Sequence, residues 1–211
     1  VYSAKLLDAR TLLRNKMNKK QLLFNVPNQN LERSRNSVVV KTCLIDKVKV
    51  LLIQFDKSEK MGAIGIAEGE RITLAFEYAI RKKLPVIAVV MSGGILINEG
   101  TLALMQMIKM ANAVKRHSDK GLLYIAVVMK PTLGGTSASF VSLADIIIAE
   151  SGAIYGFTGR QIIEETTREL LPEDFQTAEY AKRHGMVDIV AQKTDIRKIV
   201  SKLLQLHKKS R

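Results

Sequence analysis

The stretch Leu122-Leu123-Tyr124-Ile125-Ala126-Val127-Val128-Met129-Lys130-Pro131-Thr132-Leu133-Gly134-Gly135-Thr136-Ser137-Ala138-Ser139-Phe140 decides the fold. Its first eight residues are apolar, rich in β-branched types, and have no polar face. That pattern predicts a strand buried on both sides, as in a parallel sheet. The chain then turns through two glycines and enters small residues suited to a helix start, with Thr136 or Ser137 as the expected cap. A buried strand, a glycine turn and a helix start together aim free backbone N–H groups at one point. Such a point suits an anion, or an oxygen that gains negative charge during a reaction.

The same unit recurs upstream. Strands are expected to begin near residues 48, 85 and 122, about every 37 residues. Each leads to a glycine-bearing turn and then a helix: Gly62, Gly65 and Gly69 before Glu70–Lys83, Ser92-Gly93-Gly94 before Thr101–Arg116, and Gly134-Gly135. Only the pattern repeats, not the residues. Successive parallel strands joined by helical crossovers place their turns on one edge of the sheet, where open α/β sheets bind ligands.

Outside this core, Tyr2–Lys20 reads as a basic amphipathic helix and Gln21–Asn36, with Pro27 and several asparagines, as a loop. Ser37–Thr42 and Val48–Phe55 read as a hairpin turning at Asp46-Lys47. Downstream come short strands at Asp145–Ala149 and Ile154-Tyr155, then a helix from Gly159 to Glu169. Another helix is expected at Thr177–His184, capped by Gly185, and a last one at Asp195–Leu206. The expected organisation is residues 1–49 as a basic helix, loop and first strand, and residues 50–211 as the main domain, forming one unit overall.

Composition narrows the class. The chain has 211 residues, 47% hydrophobic, and a formal net charge of +13. Residues 1–60 carry 13 Lys/Arg against 5 Asp/Glu, and residues 193–211 carry 7 against 1, so the excess sits at the two ends. A solvated face accounts for such tails, and the aromatic–basic interleaving of a single-strand nucleic-acid platform is lacking. Nucleic acid is therefore not an expected partner. No apolar run reaches the roughly 18 residues of a membrane span, and the first twenty residues contain no apolar signal segment. The expected location is the cytoplasm. Cys43 is the single cysteine, so neither an internal disulfide nor a cysteine-based zinc site is possible, and no metal is expected.

Side-chain chemistry is sparse. There is no G-x-G-x-x-G after a strand, no phosphate-binding P-loop and no nucleophile elbow. His117, His184 and His207 all fall near predicted helix ends, where the helix dipole accounts for them. Glu99 reads as a charge near a helix N-terminus and Asp145 as a strand-start residue. What remains is backbone amides near Gly93-Gly94 and Gly134-Gly135 facing one pocket. Reactions that need oxyanion stabilisation and little acid–base help fit best, and thioester enolate chemistry leads.

From Lys60 to Leu206 the sequence resembles the carboxyltransferase β-subunit family of bacterial acetyl-CoA carboxylase. The resemblance is carried by Met61-Gly62 through Gly69-Glu70-Arg71-Ile72, Ser92-Gly93-Gly94, Leu104-Met105-Gln106-Met107 and Arg116-His117-Ser118-Asp119. It continues through Pro131-Thr132, Gly134-Gly135, Ser137-Ala138-Ser139-Phe140, Gly156-Phe157, Gly159-Arg160, Ile162-Ile163-Glu164 and Leu171 to Glu179. It implies an α/β, crotonase-like (ClpP/crotonase) fold of repeated ββα units. It further implies transfer of a carboxyl group from biotin on a carrier protein to acetyl-CoA, giving malonyl-CoA for fatty acid biosynthesis. The implied partners are a carboxyltransferase α-subunit sharing the active site in an α2β2 heterotetramer, the biotin carboxyl carrier protein, and the acyl-CoA. By the same resemblance Gly93, Gly94, Gly134 and Gly135 are the catalytic, oxyanion-holding residues. Met61, Gly62, Gly65, Ser92, Thr136, Gly156 and Phe157 would line the CoA thioester site.

The family's four-cysteine zinc ribbon is not represented here. After Ser92-Gly93-Gly94 the family usually continues Ala-Arg-Met-Gln-Glu, whereas this chain has Ile95-Leu96-Ile97-Asn98-Glu99. That departure keeps two alternatives open: a pathway-specific acyl-CoA carboxylase or decarboxylase, and a non-catalytic regulatory or nucleic-acid-binding paralogue. In the helix Thr101–Arg116, Leu104, Met105, Ile108 and Ala111 form the expected core face. Met107, Met110 and Val114 form a companion apolar face, so one of the two is expected to meet a partner subunit.

Overall fold

The computed structural model describes residues 37–207; the helix and loop expected at 2–36 lie outside that range. Val38–Ile45 (β1) and Val48–Phe55 (β2) pair antiparallel in unbroken register from Val38 opposite Phe55 to Ile45 opposite Val48. The two-residue turn between them has φ of 43° at Asp46 and 69° at Lys47. Positive φ at both positions is the type I′ signature, whose twist matches that of the flanking strands. The hairpin is therefore where the β-branched runs put it.

Val86–Ser92 (β3), Tyr124–Thr132 (β4), Ile146–Glu150 (β5) and Ile189–Ala191 (β6) then add in parallel, each beside its predecessor, giving the order β1-β2-β3-β4-β5-β6. Strands β3 and β4 are buried almost throughout. Both faces of the sheet are covered, which explains the absence of polar alternation. On one face Ile66–Lys82 (α1) and Thr101–Ser118 (α2) cover the sheet, Phe76 of α1 joining Phe55, Tyr124 and Phe140 in one core cluster. On the other, Lys193–Leu206 (α6 in chain order) lays Ile196, Val200 and Leu204 on Leu52, Ile87, Val89, Ile125 and Val127. Between these in the chain come Gly134–Ser139 (α3), which follows β4, Arg160–Thr167 (α4), which has no buried residue, and Ala178–Arg183 (α5), which packs beside β6.

The structure moves several expected boundaries. Helix α1 starts at Ile66, not Glu70. The Gly65 N–H donates to Oε2 of the buried Glu68 at 3.0 Å, closing the first turn in the manner of a capping box. Gly69 lies inside the helix, where α2 leaves no space for a side chain: a Cβ there would stand 2.5 Å from Cβ of Gln106. Helix α3 begins at Gly134 with Leu133 at the cap position and no capping side chain. Thr136 and Ser137 are inside it, so neither is the cap. Phe140 ends α3 and is gripped by Phe55, Phe76 and Tyr124 at ring-centroid distances of 5.9, 6.2 and 5.5 Å.

The faces of α2 are reversed from expectation. Met110 and Val114 are buried, together with Ala103 and Ala113. Leu104, Met105 and Ile108 are exposed at 49, 55 and 64%, next to Leu102.

Candidate active site

Strands β3 and β4 run parallel, so their glycine turns emerge on one edge and meet. Gly94 (φ 121°) and Gly134 (φ 65°) lie in backbone conformations that side chains rarely adopt. A Cβ on Gly134 would stand 3.1 Å from the Gly94 Cα. Around this contact the polar groups are paired. Leu133 N–H donates to Ser92 O at 2.9 Å. Ser92 Oγ and Thr136 Oγ1 share a hydrogen bond of 2.8 Å, and Thr136 Oγ1 also donates to Gly94 O at 3.1 Å. Ser92 and Thr136 are fully buried. Their hydroxyls clamp the two turns together.

The four glycine amides differ in their engagements. Gly93 N–H donates to Met61 O at 3.1 Å, and Gly134 N–H to Phe157 O at 2.9 Å. Gly94 N–H donates to Ser92 Oγ at 3.1 Å. These bonds hold the turns in shape. Gly135 is the second residue of α3, where an N–H has no acceptor within its own helix.

A third segment, Met61–Gly65, closes the site from β2's side. Gly62 is a packing glycine, since a Cβ would stand 2.0 Å from Met91 O. Met61 is 69% exposed at the rim. Ile64 pairs with Ile95: Ile64 N–H donates to Gly94 O at 2.9 Å and Leu96 N–H to Ile64 O at 2.8 Å. Glu99 completes the tie, its Oε2 accepting the Ile66 N–H at 2.6 Å beside Gly65. Lys60 Nζ lies 3.7 Å from Glu68 and 3.9 Å from Glu99. The helix whose N-terminus Glu99 serves is thus α1, not the one that follows it in sequence. Gly156 also joins the cluster: its N–H donates to Thr132 O at 3.2 Å, and its carbonyl accepts from Ser137 Oγ at 2.6 Å. Phe157 shields this corner with a ring that is 61% exposed.

Sequence reasoning missed three supporting side chains. Glu68 and Lys60 received no role from the sequence, yet Glu68 lies three residues from Gly65 and eight from Lys60 and meets both under one loop. Arg160 fans its guanidinium onto the carbonyls of Leu171, Pro172 and Glu173 and onto the Glu164 carboxylate, fixing the loop after α4. A hollow of about 400 Å³ adjoins α3, lined by Ser137, Ile147, Tyr155, Phe157 and Met186. Burial pushes the Tyr155 phenol up to about 12. A larger hollow of about 460 Å³ lies between the C-terminal ends of α1 and α2, near Arg81 and Arg116, away from the glycine turns.

Asp145 and the three histidines lie elsewhere. Asp145 accepts the Tyr124 N–H at 2.7 Å at the amino edge of the sheet, opposite the turns. His117 is fully buried, bonds Leu84 O through Nε2 at 3.0 Å and sits edge-on to Phe76. Burial lowers its pKa, with the Leu84 hydrogen bond and Asp145 opposing. It is a neutral core histidine, not a dipole contact. His184 and His207 bond the carbonyls one turn back at their helix ends. No group of three His, Cys, Asp or Glu able to hold a metal occurs among the described residues. No helix among them is long and apolar enough to cross a membrane.

Comparisons with known proteins agree with this geometry. Residues 14–210 match the carboxyl transferase domain family. The acetyl-coenzyme A carboxylase carboxyl transferase subunit beta of Prochlorococcus marinus (strain NATL1A) is 42% identical over 174 residues, covering 82% of this chain and 59% of that protein. The subunit beta 1 of Lachnospira eligens is 45% identical over 173 residues, covering 82% and 67%. This chain thus spans about three-fifths to two-thirds of the length of these curated relatives. Among solved structures, transcarboxylase 12S with methylmalonyl-coenzyme A bound is 29% identical, with a TM-score of 0.74 over 80% of this chain and 33% of that one. The Pseudomonas malonate decarboxylase MdcD–MdcE hetero-dimer shares the fold at 23% identity and a TM-score of 0.71 over 81% and 77%. The architecture is crotonase-like.

Proposed function

The chain belongs to the carboxyl transferase domain family, and from that premise we propose that it is the β-type subunit of an acetyl-CoA carboxylase, moving a carboxyl group onto acetyl-CoA to give malonyl-CoA. The observation that carries this reading is the Gly94–Gly134 contact, which sets the Gly135 amide beside the meeting point of three loops at the carboxyl edge of the sheet. Removing the α-proton of an acyl thioester puts negative charge on the thioester oxygen. A fixed N–H aimed at that oxygen lowers the barrier, because it needs no reorganisation as charge develops. Here Gly135 donates to the oxygen, while Gly93, Gly94 and Gly134 hold the shape of the wall through their bonds to Met61, Ser92 and Phe157. Met61, Gly62, Gly65, Gly156 and Phe157 border the path of the CoA arm, and Ser92 and Thr136 keep the turns in register.

The Gly135 amide fits a carbonyl acceptor, so it suits a ureido as well as a thioester oxygen. Biotin on a separate carrier protein supplies the transferred carboxyl group. This chain's part is to orient the acyl thioester and hold its oxygen. The exposed stripe Leu102, Leu104, Met105 and Ile108, beside the 76%-exposed Ile97, is the proposed seat of an α-subunit that completes the site. Two such pairs would give the heterotetramer.

The test is reconstitution. The chain alone is expected to make no malonyl-CoA from acetyl-CoA and a carboxybiotinylated carrier, and addition of an α-type subunit restores transfer. No product under conditions where an ordinary β-subunit works defeats the reading.

A further inference from the structure

Ile95 packs against Gly135, the glycine whose amide has no acceptor within its own helix. A Cβ built on Gly135 would stand 2.4 Å from Ile95 Cγ1, 3.2 Å from Ile95 Cδ1 and 3.0 Å from Met107 Sδ. The space against Gly135 is therefore filled by a branched aliphatic side chain from the opposite turn, backed by a thioether from α2. Neither is fully buried. We infer that Ile95, backed by Met107, limits the length of the acyl group that this site accepts. The inference rests on the reading of the glycine turns as a thioester site and deepens it by naming the side chains that set the acyl length.

Three observations make Ile95 a fixed barrier. Its backbone is locked into the bridge with Ile64 by hydrogen bonds on both sides, at 2.9 and 2.8 Å. The same segment is held at its far end by Glu99 on the Ile66 N–H. Finally, a β-branched side chain has few χ1 states to escape into. Met107, unbranched and with three torsions, yields more readily. A thioester whose oxygen sits on the Gly135 N–H carries its α-carbon one bond from the carbonyl carbon. Each further carbon must then find room close to Ile95. Replacing isoleucine by alanine removes three carbons there.

The experiment compares acetyl-, propionyl- and butyryl-CoA with the reconstituted complex of the parent chain, Ile95→Ala, the milder Ile95→Val and Met107→Ala. Binding of the unreactive thioethers S-ethyl-CoA and S-butyl-CoA to the chain is measured in parallel. One methylene in an apolar pocket is worth roughly 10–200-fold. Ile95→Ala is therefore expected to raise the propionyl-to-acetyl ratio of kcat/KM about tenfold or more, with Ile95→Val intermediate and Met107→Ala smaller. The thioether affinities are expected to shift in the same order. Unchanged ratios in both isoleucine variants, with melting temperatures near the parent's, overturn the size limit while leaving the acetyl-CoA reading intact. No turnover of any thioester by the parent complex defeats that reading, and the thioethers then decide: equal affinity of the parent for both, or binding of neither, overturns the size limit too.

Discussion

Gly134 stands against Gly94 so tightly that a Cβ on it would lie 3.1 Å from the Gly94 Cα, and its own φ of 65° disfavours any side chain. Gly134→Ala therefore forces the two turns apart and adds backbone strain of about 1–2 kcal/mol. Since this contact sets the neighbouring Gly135 amide, transfer by the reconstituted complex is expected to fall about a hundredfold or more, the scale of losing one oxyanion donor. Melting temperature and kcat/KM measured on the same preparation separate the two effects. A variant with parental activity would show that the contact does not position the donor.

Gly135 and Ile95 should be coupled. Gly135→Ala alone drives a methyl group into Ile95 and is expected to destabilise the fold by roughly 1–3 kcal/mol, the range for overpacking. Combined with Ile95→Ala, most of that loss should disappear. Denaturant unfolding of both single variants and the double variant gives the coupling energy, which a direct contact makes substantial.

Ile108 is 64% exposed in the middle of an apolar stripe on α2. Ile108→Asp should leave the melting temperature of the isolated chain within about a degree or two, since exposed substitutions usually cost under ~0.5 kcal/mol. It should nevertheless weaken association with an α-type subunit at least tenfold by sedimentation or light scattering. Unaltered association would move the interface elsewhere.

His117 gives the chain an acid-sensitive core. Burial holds its pKa below the ordinary 6.5, so the unfolded chain takes up the proton more readily than the folded one. The stability of the neutral form is fully present above about 6.5 and is lost as pH falls from there toward the lowered folded value. One proton limits the slope to about 1.4 kcal/mol per pH unit. His117→Gln keeps a donor for Leu84 O and removes the titration. Its stability should fall less steeply than the parent's between pH 6.5 and 5, and parallel curves would exclude His117 as the cause.

Arg160 is expected to matter more for the loop than for the sheet. Arg160→Lys gives up the fan of donors to Leu171, Pro172 and Glu173, each such charged hydrogen bond being worth at most about 1.5–3 kcal/mol. Amide exchange at Phe175 and Thr177 should accelerate, while amides of β3 and β4 keep their protection.

Much of this was legible in the chain itself. The β-branched runs located β1 to β4, Asp46-Lys47 located the hairpin turn, and the recurrence near 37 residues appears as strands starting at Val48, Val86 and Tyr124. Errors arose where a distant residue decides the local outcome. Gly65 and Gly69 suggest a loop, yet Gly69 is helical, and it is glycine because Gln106 of α2 packs on it. Both faces of α2 are apolar, so periodicity could not choose the inner one. The engagement of the Gly93, Gly94 and Gly134 amides depends on Met61, Ser92 Oγ and Phe157, two of them 32 and 23 residues away along the chain. Spacing within a motif carries no record of such partners.

Because each strand of the sheet lies beside the one made just before it, the architecture suits assembly during synthesis. No strand has to wait for a later segment to be inserted between itself and its neighbour. Each new strand needs only a crossover of modest length to close, and the entropy of closing a loop grows slowly with its length. A growing chain can thus add strands at one open margin, the face under α6 being covered only when that last helix emerges.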